Sequence, residues 1–356
     1  MRKELRRAAR AMGVTRIARV TGLDRAGVEV ACSVRPGGHV LQIANGKGER
    51  AEDAELGALC EAAELWGAER VDPAILVHAT VRELGGRALD PADLPGAPGA
   101  TRLLEARIAW RPARDLFTGA ELFVPAQAAH CPPAGVPLGP VGLRWSSNGM
   151  GAHPDPRRAL AHALLEAAER DGLSRALPHG WTRAVLRRRK IDPASLPRRT
   201  ARLVERLSAA GFAAHLFDLG PGPGWLDLPL AAALLADREE GPLPLTAGYA
   251  CAERADDALA AALLEAAQSR LTDVHGARED IAALDRGAAL GLLREAALAG
   301  STVDASVLAS RDALPLLERF RRAGFSRAAA VELAPAGFPL AIVKVLVPHM
   351  RVSELL

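Results

Sequence analysis

Aromatic side chains are scarce in this chain: they make up 4% of its residues, with a single tyrosine. That scarcity argues against the stacking platforms on which proteins hold single-stranded nucleic acid. An excess of one charge is lacking too. Lysines and arginines number 45 against 42 aspartates and glutamates, and the resulting net charge of +3 does not demand a polyanionic partner. Nucleic acid is not an expected ligand. Cysteines are few and scattered. Cys32, Cys60, Cys131 and Cys251 show no C-x-x-C spacing, which leaves no zinc knuckle and fits a reduced, cytoplasmic protein. No long hydrophobic run exists either. The apolar stretch FPLAIVKVLVP near the end is too short to span a bilayer and is interrupted by Lys344, so it reads as a buried strand. The basic start, MRKELRRAARAMG, has no apolar core and is not a secretory signal. No membrane partner is expected.

Familiar catalytic signatures are missing as well. Without G-x-x-x-x-G-K-[ST], phosphates are not held by a Walker loop, and without H-E-x-x-H or G-x-S-x-G the metalloprotease and serine-hydrolase readings have no support. The nine histidines do not cluster at ligand spacing, and His275 reads as a loop or cap residue. The run Arg187 to Lys190 reads as a solvated face that could also steer an acidic peptide.

What the chain does have is a pattern repeated three times in alanine-rich helices. Two polar acceptors sit one turn apart: Glu61/Glu64 in CEAAELWGAER, Glu166/Glu169 in LLEAAERD, and Glu265/Gln268 in LLEAAQSR. An (i, i+3) pair shares one helical face, so each helix can present both groups to one point. Taken singly, each pair also fits an ordinary solvated face. If the three faces converge, five carboxylates and an amide line one pocket, and their repulsion raises their pKa values until cations relieve it. Mg²⁺ suits such a site, because it takes oxygen ligands and bridges carboxylates to phosphates.

With 356 residues the chain can bury a large core, in one domain of unusual size or two joined intimately. Val14 to Ile43 reads as three strands, and Asn45-Gly46-Lys47-Gly48 as a turn that could bring backbone amides and Lys47 to a phosphate. The acidic helices are expected at roughly Ala54–Glu69, Pro156–Asp171 and Asp256–Thr272, with a hairpin around Phe117-Thr118-Gly119. AAHLFDL and LPLAAALLAD read as strands, the stretch up to Ala323 as helical, and VELAP and PLAIVKVLVP as closing strands. This irregular alternation predicts a mixed α/β class.

The residues GVTRIARVTGLDRAGVEVACSVRP, NGKG, the Glu61/Glu64 pair, SSNG followed by Glu166/Glu169-Arg170-Asp171, and EAAQSR with GAREDI together resemble the YcaO family. The resemblance covers nearly the whole chain, and Asn148 precedes Glu166 by the family's spacing of 18 residues. The opening TRIARVTGLDRAG is most similar to the subgroup found beside TfuA proteins. The resemblance implies a single YcaO domain over residues 1–356, with the nucleotide site between acidic helices. It implies an ATP- and Mg²⁺-dependent enzyme that activates a backbone amide of a peptide by O-phosphorylation. Depending on the nucleophile, the product is a thioamide, an azoline or an amidine.

By the same resemblance, Glu61, Glu64, Glu166, Glu169 and Glu265 hold Mg²⁺ and through it the phosphates, Gln268, Arg270 and Arg278 contact the nucleotide or stabilise phosphoryl charge, and Asn148 lines the pocket, with Lys47 of the NGKG segment as a further candidate nucleotide contact. Arg170 either touches ATP or pairs with neighbouring carboxylates, and no residue stands out as a general base. The family's nucleotide-contacting Lys and Ser/Thr would lie before Met12-Gly13, where this chain begins. His153-Pro154, Gly57 and Ala252 also depart from the family pattern. Azoline-forming members tend to end in a Pro-rich tail, whereas this chain ends in VPHMRVSELL. The ending and the TfuA-like opening favour thioamide formation in a ribosomally made peptide or protein, with a TfuA-like partner and a sulfide source. A homodimer is compatible with this reading. The alternatives are an azoline- or amidine-forming cyclodehydratase and a non-catalytic peptide- or partner-binding subunit of the same fold.

Overall fold

The computed structural model describes the chain except for residues 1–2, 96–98, 134–135, 240, 242, 277–290, 292–293, 295–301, 309–313 and 354–356. In chain order, α1 (Lys3–Ala11) leads into strands β1 (Arg16–Arg19), β2 (Glu29–Val34) and β3 (Ile43–Gly48), then α2 (Ala51–Glu69). Next come β4 (Val77–Ala79), α3 (Val81–Leu84), the hairpin β5 (Ile108–Asp115) and β6 (Glu121–Pro125), and α4 (Ala126–Ala129). The middle runs through β7 (Met150–His153), α5 (Pro156–Ala176), α6 (Arg183–Arg189) and α7 (Arg198–Ala209). Then follow β8 (Phe212–Asp218), β9 (Leu230–Asp237), β10 (Leu245–Cys251), α8 (Ala255–Val274), β11 (Ala329–Glu332) and β12 (Ala341–Leu346). The mixed α/β class holds.

Three antiparallel sheets result, with orders β1-β2-β3, β10-β9-β8 and β4-β5-β11-β12-β7, and β6 pairing with β5. Two strands divide the apolar interior, and the two-residue period of a strand explains how. On β9, Leu230, Ala232, Leu234 and Ala236 join one core while Ala231, Ala233 and Leu235 join another. On β12, Ile342 and Leu346 face the core of α1 and α2, and Val343 and Val345 face that of α5. A strand buried on both faces reads as a continuous apolar run, which is why LPLAAALLAD and PLAIVKVLVP were legible as strands.

Asn45-Gly46-Lys47-Gly48 is the exception. It is not a turn but the body of β3, paired residue by residue with β2. Asn and Gly signal turns by their backbone freedom, yet glycine also marks a strand that another backbone approaches closely. Here a β-carbon on Gly46 would lie 2.2 Å from the carbonyl oxygen of Ala54 on α2. Between 276 and Ala323, the expected helix is seen at Leu316–Arg322, and Ala305–Leu308 forms a 3₁₀ turn. Much of that stretch lies outside the described residues. The basic segment after Trp181 holds α6 and α7, which the reading of a solvated face did not resolve into elements. His275 is the C-cap of α8, as expected.

Candidate functional site

Each acidic helix is docked on the edge strand of a different sheet in the same way. Gly46 on β3 faces Ala54 and Ala58 of α2, Gly151 on β7 faces Ala159 and Ala163 of α5, and Gly248 on β10 faces Ala262 and Ala266 of α8. A β-carbon on these glycines would lie 2.2, 2.2 and 2.3 Å from the carbonyl oxygens of Ala54, Ala159 and Ala262. Glycine on the strand and an alanine pair on the helix therefore let backbone meet backbone. That closeness brings a carboxylate to the strand edge. Asn45 N–H donates to Glu61 at 3.0 Å, Met150 N–H to Glu166 at 3.2 Å and Tyr249 N–H to Glu265 at 3.4 Å. The separation in sequence is 16 residues each time. β3, β7 and β10 each end their sheet's pairing order, so these glutamates cap N–H groups that no neighbouring strand takes.

Bonds between the units join them. Ala152 N–H on β7 donates to Glu64 of α2 at 2.9 Å, and Lys47 Nζ on β3 reaches Glu265 of α8 at 3.0 Å. Asn45 Nδ2 donates to Thr272 Oγ1 at 3.0 Å. Glu61, Glu64, Glu166, Glu169 and Glu265 thus stand around one region with Lys47 and Arg170, whose guanidinium lies 3.7 Å from Glu169. Of the three acidic helices only α5 starts on a side-chain cap: Asp155 accepts from Arg157 N–H, with Pro156 in the first turn, whereas Arg50 and Arg254, at the starts of α2 and α8, make no side-chain cap bond.

The electrostatics fit a cluster that wants a cation. Burial, with Glu166 and Glu61 adding, pushes Glu64 well above the usual carboxylate range. Burial also pushes Glu169 up to about 8, with Glu265 and Glu166 adding and Arg170 and Lys47 opposing. Burial alone would lower Lys47, but Glu265, Glu169 and Glu61 outweigh it and hold the ammonium above its ordinary value. Glu169, Glu166 and Glu265 likewise outweigh burial and hold Arg170 firmly cationic.

Among the described residues no three His, Cys, Asp or Glu side chains are grouped closely enough to hold a metal by themselves. The carboxylates stand instead in paired positions. This suits Mg²⁺, which takes one or two carboxylates and completes its shell with water and substrate phosphates. The oxygen-only donor set and the buried, unpartnered Oδ1 atoms of Asn45 and Asn148 fit such a cation as well.

The pKa directions give a stability prediction. Glu169 has an ordinary value of 4.5 and a folded value of about 8, so between these the folded state holds more protons than the unfolded one. This carboxyl therefore contributes stability that falls as pH rises through that window, while His130 and His215, each lowered to about 4 by burial, contribute the opposite slope between about 4 and 6.5. Lys344, lowered to about 8 from 10.5, contributes slope only above the Glu169 window. From pH 5.5 to 7.5 the melting temperature of the wild type should change less favourably than that of Glu169→Gln, which lacks the Glu169 contribution. Equal changes in both would contradict the assignment.

Other expected site residues are placed differently. Gln268 is half-buried, one turn from Glu265, and its carbonyl accepts from Thr272 Oγ1. Asn148 sits on the turn before β7. Arg270 does not join the carboxylates, a correction to the sequence-based expectation. Two residues beyond Gln268 a helix has turned by about 200°, and the guanidinium is taken up by Asp24 at 3.0 Å, Asp237 at 3.1 Å and the Leu243 carbonyl, over the Phe212 ring. It is a buried structural tie. Arg278 lies outside the described residues. Asp171, quoted beside Glu169 and Arg170, is fully buried and accepts from Arg175, Trp225 Nε1 and Arg351 N–H, so its role is structural.

One residue beside the site was marked in the sequence only as an interruption of an apolar run. Lys344 is 1% exposed, and its Nζ donates to the Ser146 carbonyl at 2.6 Å and to the Asn148 carbonyl, 5.8 Å from the Trp145 ring centre. Burial lowers it to about 8 against the pull of Glu166 and Glu64. The signal was present: a lone charge inside a strand that is otherwise apolar must find partners or cost several kcal/mol.

Three edge strands backed by helices that carry carboxylates to the strand edges define a mixed α/β protein with an acidic cluster between its sheets. Residues 45–351 match the family model described as YcaO cyclodehydratase, ATP- and Mg²⁺-binding. The chain belongs to the YcaO family. A protein described as lying in the tfuA 3′ region of Rhizobium leguminosarum bv. trifolii is 33% identical over 296 residues, covering 79% of this chain and 68% of that protein. Among solved structures, YcaO from Methanopyrus kandleri bound with AMPPCP and Mg²⁺ superposes with a TM-score of 0.75 at 21% identity, covering 97% of this chain and 88% of that one. A heterocyclase in complex with substrate and cofactor gives a TM-score of 0.74 at 18% identity, covering 98% of this chain and 52% of that one. At such identities these two likenesses show the shared fold. Among the described residues no helix is long and apolar enough to cross a membrane.

Proposed function

We propose that this protein uses ATP and Mg²⁺ to activate a backbone amide of a peptide or protein by O-phosphorylation, and that sulfur then replaces the amide oxygen to leave a thioamide. The observation that carries the ATP reading is the convergence of five helix carboxylates with Lys47 and Arg170 at the edges of three sheets. The relative in a tfuA 3′ region supports the thioamide product and a TfuA-like partner with a sulfide source.

Glu61, Glu64, Glu166, Glu169 and Glu265 would hold Mg²⁺. When bound, the metal would neutralise charge on the transferred phosphoryl group. Lys47 and Arg170, cationic and half-buried among carboxylates, would meet phosphate oxygens. Asn148 and Gln268 complete the pocket as neutral polar groups. The Glu169 carboxyl, pushed up to about 8, would lose the proton it carries near neutrality when the metal arrives, and the raised Glu64 carboxyl favours its protonated form in the same direction. Metal binding would thus release protons, as carboxylate sites do.

The product is tested by mass. A candidate peptide incubated with the protein, its TfuA-type partner, Mg²⁺-ATP and sulfide should gain the difference between sulfur and oxygen. Loss of one water instead would identify an azoline and overturn the thioamide assignment while keeping amide activation. Unchanged mass with intact Mg²⁺-ATP binding would favour a binding subunit.

A further inference from the structure

We infer that Lys344 is a positioning residue: its ammonium clamps the Ser146–Gly149 turn onto β12 and so sets Asn148 and the start of β7 against the carboxylate site. This rests on the nucleotide reading above and adds a residue to it. Three bonds join turn and strand. Lys344 Nζ donates to the carbonyls of Ser146 and Asn148, and Val345 N–H donates to the Gly149 carbonyl at 2.7 Å. Gly149 has φ +76, and a β-carbon there would lie 2.5 Å from the Val345 carbonyl oxygen, so the turn cannot sit so close with any other residue. Lys344 pairs across the sheet with Met150, whose N–H donates to Glu166. The clamp therefore ends one residue from a carboxylate of the site.

The clamped turn leaves Asn148 Oδ1 buried without a partner. It also borders an open cleft lined by Leu94, Leu143, Arg144, Ser146, Asn148 and Lys344, among others. A lysine that served only packing would be a poor choice here. A buried ammonium is costly to desolvate, and an apolar residue of the same length would be neutral or stabilising. The charge is retained against that cost, and what it holds is the turn.

Lys344 is faced by Glu64 from α2, Glu166 from α5, and Ser146, Asn148 and Trp145 from the turn segment. Replacing the lysine frees the turn and also removes a positive charge facing Glu64 and Glu166, a change that by itself would strengthen rather than weaken Mg²⁺ binding. Lys344→Met should therefore fold, with a melting temperature equal to or above the wild type, yet bind Mg²⁺-ATP at least tenfold more weakly. Lys344→Arg keeps the charge and two donors and should recover most of that loss.

Asn148→Ala supplies the readout that a purely structural role would not move. If Lys344 acts through the turn, Lys344→Met adds less than threefold in the Asn148→Ala background. Multiplying effects in the double variant, or full affinity in a folded Lys344→Met, would overturn the inference. The reading of the whole site stands or falls separately, on whether the wild type binds Mg²⁺-ATP at all.

Discussion

Gly151→Val is expected to lower folding stability by about 3 kcal/mol or more, near the upper end of what overpacking costs. The reason is backbone, not side chain. A β-carbon at this position would lie 2.2 Å from the Ala159 carbonyl oxygen and 3.0 Å from Ala163 N, atoms of α5 that cannot rotate away. The helix must move outward and carry Glu166 off the Met150 N–H. Gly46→Val should behave alike, because its β-carbon would lie 2.1 Å from Ala58 N and 2.2 Å from the Ala54 carbonyl oxygen on α2. Gly37→Ala is the control. Nothing lies within 4 Å of its β-carbon, so it should be neutral or slightly stabilising. Urea melts decide the matter, and equal midpoints for Gly151→Val and Gly37→Ala would refute the close packing of helix on strand.

A second large effect runs the other way. The double variant Glu64→Gln/Glu169→Gln should be more stable than the wild type by about 1–2 kcal/mol at pH 7.5 without Mg²⁺ and nucleotide. Both carboxyls carry raised pKa values from burial and from neighbouring glutamates. Whether each stays ionised or takes up a proton, it costs stability near neutrality that an amide does not. Glutamine at position 64 still offers an oxygen to the Ala152 N–H. The same variant should lose the rise in melting temperature that Mg²⁺-ATP gives the wild type. Stability gained together with ligand response lost is the signature of a site held against the preference of the fold. Lower stability without ligand would mean that these carboxyls are structural.

How much of this could be read beforehand differs from element to element. The acidic helices were legible because each (i, i+3) pair announces a shared face, and the central strands because burial on both sides leaves an uninterrupted apolar run. Asn45-Gly46-Lys47-Gly48 was misread because glycine has two meanings, and only the partner helix tells a turn from a close approach. Arg270 was misplaced because motif proximity ignores helical rotation: Glu265 and Gln268 share a face, and Arg270 is on the opposite one, bound to Asp24 and Asp237. Lys344 was seen only as an interruption of the apolar run, since its partners come from the distant turn at Ser146–Asn148. The recurring bond across 16 residues, from strand N–H to helix glutamate, was invisible because the three units share little beyond glycine, alanine and glutamate.

The most direct test is calorimetric titration of Mg²⁺-ATP into the wild type and into Glu166→Ala, with and without Mg²⁺. The wild type should bind with a micromolar-range constant, roughly −8 kcal/mol, only when Mg²⁺ is present, and Glu166→Ala should show no measurable binding while remaining folded. Unchanged affinity in Glu166→Ala, or no affinity in a folded wild type, would contradict a nucleotide site built on the acidic helices.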